Sequence, residues 1–260
     1  MSQDPISIDR HGAVMVMTLN RPGNRNALSA DMKTALHDGA CRYRDDREAR
    51  CLVLTGTEGV FCAGGDLSDM AVDRRTTTVL DRMALTHAAL RVLTSCEKPV
   101  LCAVNGAAVG AGLSLALAGD LVVAAEDAWF LPGFPKVGVL PDLGLLYHLP
   151  RAVGMVQAKD LLFTNRRVSA TEALTMGLVS RVLPAQGFRD AVLELAAGVA
   201  AGPTVSMGLA KGLLRGALQD GFDEFLLKER MAQAVVFGTE DFVEGNTAFR
   251  QKRAPRFGGR

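Results

Sequence analysis

Residues 99–126 read "PVLCAVNGAAVGAGLSLALAGDLVVAAE", and the fold turns on how this stretch divides. Taken whole, 107–125 is about long enough to span a bilayer. Three glycines and Asp120 argue against that reading. A division into buried strand, small-residue turn, helix and strand accounts for the residues better. "PVLCAVNG" (99–106) is a short apolar run that ends in a turn, and "DLVVAAE" (120–126) is another. Such nearly continuous runs suit strands covered on both faces.

The same grammar recurs on the N-terminal side. "CLVLTG" (51–56) is a buried strand followed by the Gly-rich loop "TEGVFCAGGD" (57–66). "AVMVMTLN" (13–20) has strand character and is broken by "RPGNRN" (21–26). Ser29 is placed to cap a helix through about Tyr43, because Met32, Leu36, Ala40 and Tyr43 fall at helical spacing. Residues 76–95 also read as a helix. Strand, turn and helix in alternation predict an α/β fold. Further on, "SATEALTMG" (169–177) opens with a capping box, Ser169 to Glu172, and stops at Gly177. "LVSRVLP" (178–184) is a short strand. From about 186 to 251 the periodicity is helical, with "AGP" (201–203) as the clearest break. The expected organisation is a core over 1–200 and a helical appendage over 201–260.

Composition narrows the function classes. Of 260 residues, 48% are hydrophobic and 22% charged, ordinary for a globular chain with a sizeable core. Lys+Arg 29 against Asp+Glu 28 leaves a net charge of +1, so no global field attracts nucleic acid or an anionic membrane. The five cysteines form no CxxC pair, which disfavours a disulfide framework and fits a reducing compartment. "MSQDPISIDR" has no apolar stretch of the secretory type, so a cytoplasmic location is expected. No His/Cys/Asp/Glu set has metal spacing.

The chemistry points to two loops and one acid. "FCAGGD" (61–66) and "NGAAVGAG" (105–112) each follow a buried strand and consist almost wholly of small residues. Small residues let the backbone approach a ligand and leave N–H groups unshielded. Two converging N–H groups would form an oxyanion hole; tight turns with close packing explain the same residues. Neither loop is a GxGxxG or GK[ST] phosphate site, and no GxSxG elbow exists for Ser114. Asp142, in "VGVLPDLGLLYHL" (137–149), is a lone carboxylate among apolar residues. It could cap a helix after Pro141, act as a base, or do both. Its neighbours Val139, Leu140, Leu143 and Leu145 would raise its pKa by desolvation.

With these stretches in place, a wider match emerges. "RPGNRNALS" (21–29), "FCAGGDL" (61–67), "KPVLCAVNGAAVGAGLSLALAGDLVVAAEDAWF" (98–130) and "LPRAVG…AKDLLFTNRRVSATEALTMGLVSRVLP" (149–184) resemble the enoyl-CoA hydratase/isomerase (crotonase) superfamily in order and over nearly the whole chain. The resemblance implies a crotonase-like spiral of ββα turns with a helical C-terminal trimerisation region. It also implies homotrimers, often stacked into homohexamers, and acyl-CoA thioester substrates. Coenzyme A then arrives as part of the substrate and no separate cofactor is needed. The shared chemistry of that family is enolate stabilisation by two backbone N–H groups, carried over here to Ala63 and Ala111. Arg25, Asn26, Ala27 and Leu28, with Ala63, Gly64, Gly65, Asp66 and Leu67, would line the coenzyme A site beside Gly110 and Ala111. Lys252 looks like the family's C-terminal lysine that reaches a CoA phosphate. Asp66 reads as a cap for a helix starting near Leu67.

Departures from the family pattern bear on the activity. The two hydratase glutamates would fall at Ser114 and Phe134. Serine without its own base cannot take a proton at neutral pH, and phenylalanine cannot at all. Asp142 matches the single acid of several isomerase branches, namely Δ3,Δ2-enoyl-CoA, dienoyl-CoA and ring-epoxide isomerases. The dienoyl branch uses further acids at the positions of Ser114 and Phe134 and fits less well. The expected function is therefore an enoyl-CoA double-bond isomerase of fatty-acid or related metabolism, with Asp142 as proton shuttle. His87 with Asp142 also resembles the pair of 4-chlorobenzoyl-CoA dehalogenase, although that enzyme has a tryptophan at the place of Phe134. Packing in the acyl pocket is the other reading of His87, and Phe134 is a candidate lining residue of the same pocket. A catalytically silent acyl-CoA binding protein is the alternative from another class.

Overall fold

In the computed structural model, residues 4–57, 59–71 and 75–260 are described. The chain opens on an antiparallel hairpin, β1 (Ile6–His11) and β2 (Val14–Leu19). The spiral then runs α1 (Ala30–Asp45), β3 (Cys51–Gly56), β4 (Val60–Cys62), α2 (Leu67–Ala71) and α3 (Thr76–Ser95). The next turn is β5 (Val100–Val104), β6 (Ala107–Val109) and α4 (Ala111–Ala116). It is followed by β7 (Leu121–Ala125), β8 (Trp129–Leu131) and α5 (Leu145–Thr164). After β9 (Val168–Ser169), α6 (Ala170–Thr175) and β10 (Arg181–Leu183) come α7 (Phe188–Ala200), α8 (Thr204–Gly216), α9 (Phe222–Phe237) and α10 (Glu240–Arg250).

The strands sort into two sheets. One has the order β1-β2-β3-β5-β7-β10 and is parallel beyond its first hairpin. The other has the order β4-β6-β8-β9. The pairs β3–β4, β5–β6 and β7–β8 each lay one strand in the first sheet and the next in the second before the chain returns by a helix. The ββα spiral expected from the motifs is the observed fold. The membrane-length stretch 107–125 resolves into β6, α4 and β7, and no single helix among the described residues is long and apolar enough to cross a membrane.

Local signals fixed several boundaries as read. Ser29 caps α1, its side chain accepting from the Met32 N–H at 3.3 Å. Ser169 caps α6 by accepting from the Glu172 N–H at 3.2 Å. The helical tail breaks at 201–203 and also near Gly221 and Gly238. The hairpin strand β1 went unrecognised because its alternating "ISIDRH" carries few apolar residues. Its tight turn is visible only as Gly12, at φ 59°. Core side chains include Met15, Met17, Leu52, Leu54, Phe61 and Phe130, all essentially inaccessible. Four of the cysteines are buried and all five are free thiols. Burial pushes the Cys62 and Cys102 thiols up to about 12.

Candidate active site

The two Gly-rich loops pack backbone on backbone. A Cβ on Gly112 would sit 2.2 Å from the Cys62 carbonyl oxygen, and one on Gly106 only 1.7 Å from that of Gly59. Gly64 takes a left-handed φ of 105°, and a Cβ there would lie 2.9 Å from the Val109 oxygen and 3.6 Å from the Ala111 nitrogen. The small residues are therefore required by close approach of the loops. That approach also brings the strand ends of both turns to one place.

Ala63 cannot supply the first oxyanion donor. Its N–H donates to the Arg25 carbonyl at 3.0 Å and is consumed by the fold. Two residues on, the bonds alternate: Leu28 N–H donates to Gly64 O at 2.8 Å and Asp66 N–H to Leu28 O at 3.4 Å. Gly65, bridged to Leu28 between them, keeps an N–H with no partner among the described residues. In a parallel bridge the central residue points its own N–H away from the partner strand. Ala111, the first residue of α4, likewise has no acceptor for its N–H among the described residues, as expected in a first helical turn. The unpaired donors are thus Gly65 and Ala111. The sequence misplaced the first by two positions because alternation in a bridge is a tertiary property.

The segment 25–28 divides similarly. Arg25 and Asn26 both adopt left-handed φ, 50° and 56°. Arg25 is exposed and Ala27 partly so. Asn26 is 0% exposed and wholly engaged. Its Oδ1 accepts from Arg21 N–H at 2.9 Å and Thr57 Oγ1 at 3.2 Å, while Nδ2 donates to Val60 O at 2.8 Å. Leu28 is core. Asn26 and Leu28 are thus corrected from lining residues to structural ones, whereas Leu67, 58% exposed, is open to a ligand. Asp66 does cap α2: its Oδ1 accepts from Ser68 N–H at 3.1 Å. Bonds from Ser68 and the Arg21 guanidinium hold its carboxyl below the usual range. Lys252 is exposed in the turn after α10, where its backbone N–H donates to Phe249 O at 3.2 Å, within its own helix end.

The hydratase acid positions hold no acid. Ser114 is fully buried and its Oγ donates back to Gly110 O at 3.3 Å. Phe134 is buried one residue after Gly133, where a Cβ would lie 3.2 Å from the Gly110 nitrogen. Phe134 therefore stands beside the second loop.

Asp142 is not a helix cap. The N-cap of α5 is Gly144, at φ 74°, and no side chain caps it. Asp142 contributes only its carbonyl, which accepts from Leu145 N–H at 3.0 Å. Its Oδ1 is buried with no hydrogen-bond partner. Burial pushes its carboxyl above the usual carboxylate range, while the charges of Lys33 and His87 pull it back. The desolvating neighbours are only part of the expected set, because Leu143 and Leu145 are buried but Val139 and Leu140 are exposed.

Lys33 is the residue that sequence reasoning missed. It sits on α1 with 8% exposure, and Asp142 is the strongest charge acting on it, ahead of Asp69, Arg82 and Asp66. The signal was present: Lys33 shares a helical face with Leu36 and Ala40, spaced by three and seven residues.

Comparison with known proteins agrees with this architecture. The enoyl-CoA hydratase/isomerase family model matches residues 9–260. A probable enoyl-CoA hydratase of Rhodobacter capsulatus is 38% identical over 260 residues, covering 100% of both chains. The 1,2-epoxyphenylacetyl-CoA isomerase of Escherichia coli is 37% identical, with 95% of each chain covered. Among solved structures, an enoyl-CoA hydratase of Bacillus anthracis superposes with a TM-score of 0.93 at 31% identity, over 98% of this chain and 100% of that one. Fold, loops and relatives lead to one assignment: the chain belongs to the enoyl-CoA hydratase/isomerase family.

Proposed function

We propose that this member of an acyl-CoA-processing family is a double-bond isomerase with Asp142 as its proton shuttle. The observation that carries the reading is the buried, unpartnered Oδ1 of Asp142 in a scaffold whose other acid positions hold Ser114 and Phe134. The Asp142 carboxylate takes a proton from one carbon of the acyl chain. The released electron pair delocalises onto the thioester oxygen, which accepts from the Gly65 and Ala111 N–H groups. The neutral carboxyl then returns the proton two carbons along, and the double bond has moved with no net change in composition. A single group suffices for this shift, whereas hydration needs water activated and placed as well. The coenzyme A portion would lie along Arg25, Ala27 and Leu67, with Lys252 reaching a phosphate.

The test presents 3-enoyl-CoA, 2-enoyl-CoA and epoxyphenylacetyl-CoA to the purified protein. Asp142→Asn keeps the shape and removes the base, so a loss of about 10²–10⁴-fold in kcat is expected on the reactive substrate. Full activity in that variant would overturn the assignment. Loss of substrate α-proton exchange in D2O in the same variant would exclude a silent binding protein.

A second reading follows from His87, whose charge favours the ionised form of Asp142. In a dehalogenase-like reaction Asp142 would attack a ring carbon, expel halide, and be released by water that His87 deprotonates. An aryl ester on Asp142, formed at the ring carbon that lost halide and seen by mass spectrometry, would support it.

A further inference from the structure

The Gly65 N–H takes its direction from a row of hydrogen bonds that starts at Arg21. In a trans peptide the C=O and the following N–H point opposite ways, so a bond made by one aims the other. The Gly64–Gly65 peptide is held at its oxygen, which accepts from the Leu28 N–H at 2.8 Å, and the Gly65 N–H therefore points away from the 21–28 segment. The Ala27–Leu28 peptide is held in the same way. Its oxygen accepts from Arg21 Nη1 at 3.1 Å and from the Ser29 N–H at 3.0 Å, while its N–H makes the bond to Gly64. A guanidinium thus stands at the head of two aligned peptides, with the unpaired Gly65 donor at their tail.

Arg21 is itself fixed. Asp66 Oδ2 accepts from the same Nη1 at 3.2 Å, and the two side chains are 27% and 8% exposed. Asn26 locks the Arg21 backbone, its Oδ1 accepting from the Arg21 N–H at 2.9 Å and its own N–H donating to Arg21 O at 2.9 Å. Outside support matters here, because Gly64 and Gly65 have no side chains to restrict their peptides. The bond from the Asp66 N–H to Leu28 O is also long, at 3.4 Å. Hydrogen bonds in a row polarise one another by about 10–30% per bond, and one made by a cation is stronger than a neutral one. We propose that Arg21 is a positioning residue for the oxyanion hole, its charge aiming and strengthening the Gly65 donor through the Ala27–Leu28 and Gly64–Gly65 peptides. The proposal rests on the acyl-CoA reading of the site, but neither on Asp142 nor on isomerisation.

Infrared difference spectra of butyryl-CoA, isotope-edited at the thioester carbonyl and bound to the native protein, Arg21→Gln, Arg21→Met and Arg21→Lys, test it. Donors aimed at the oxygen lower the carbonyl stretch, so the bound ester should absorb below the free one. Two polarised bonds in the row predict that Arg21→Gln and Arg21→Met each lose roughly 20–50% of that downshift. Arg21→Lys should recover most of it, because Nη1 alone makes both contacts and a single ammonium nitrogen can replace it. A purely structural arginine would lower the melting temperature on replacement and leave the carbonyl frequency of the bound ester native. That result, or a lysine variant no better than the glutamine one, would overturn the proposal. Either neutral variant suffices, so misfolding of one leaves the test intact. A native complex with no downshift would refute the oxyanion hole itself and the role of Arg21 with it, whereas a native downshift that survives in the neutral variants would refute the role of Arg21 alone. The spectra need no turnover, so the isomerase reading stands or falls separately.

Discussion

At the scale of single residues, Asp142 sets the pH behaviour. Burial holds its folded-state pKa above the unfolded value. Between those two values the folded chain binds more protons, so stability falls as pH rises through the window and the penalty is complete above it. Asp142→Asn is therefore expected to melt higher than the native protein at pH 7–8, by about 0.5–2 kcal/mol. Melting temperatures of both proteins against pH should diverge upward and then level. In activity, the acid limb of kcat/KM should lie above the ordinary aspartate value of about 3.9. A rate profile across pH 4–8 on the reactive acyl-CoA checks it. Gly112 makes a different demand, because a Cβ would enter the Cys62 carbonyl. Gly112→Ala should cost about 1–3 kcal/mol and lower activity through the displaced Ala111 N–H, measurable by denaturant titration and kcat together.

Among elements, the connections matter more than the helices and strands they join. Asn26 clamps the 21–27 turn to the β3–β4 connection through Arg21, Thr57 and Val60. Removing a buried amide with these partners leaves each of them unsatisfied. Asn26→Ala should destabilise by about 2–4 kcal/mol in urea unfolding. It should also impair activity without touching substrate, since Ala63 and Gly65 are set by the same turn through Arg25 and Leu28. By contrast, Ser169→Ala removes one exposed cap and should cost about 1 kcal/mol with activity unchanged. The caps were legible because Ser29 and Ser169 act within four residues. The clamp was not, because Asn26 and Val60 are linked only by the fold.

For the whole molecule, the C-terminal helices leave much apolar surface uncovered. Leu218, Phe222, Met231, Val235 and Phe249 are exposed in the single chain, Phe249 to 85%. An apolar face of this kind usually marks association. We expect a homotrimer or homohexamer, with Met231→Glu and Phe249→Asp shifting light-scattering mass toward smaller species.

The sequence by itself determined the α/β alternation, the starts of α1 and α6 and the candidate acid, while its family resemblance implied the ββα spiral. These rest on apolar periodicity, short-range caps and small residues where backbones must touch. Only the tertiary structure decided which N–H groups remain free, because Ala63 and Gly65 differ solely in what lies across the bridge from them. It also decided that Asp142 leaves its cap to Gly144 and feels the Lys33 charge. Lys33 is 109 residues away in sequence, the difference between 142 and 33, and charge acts through space rather than along the chain.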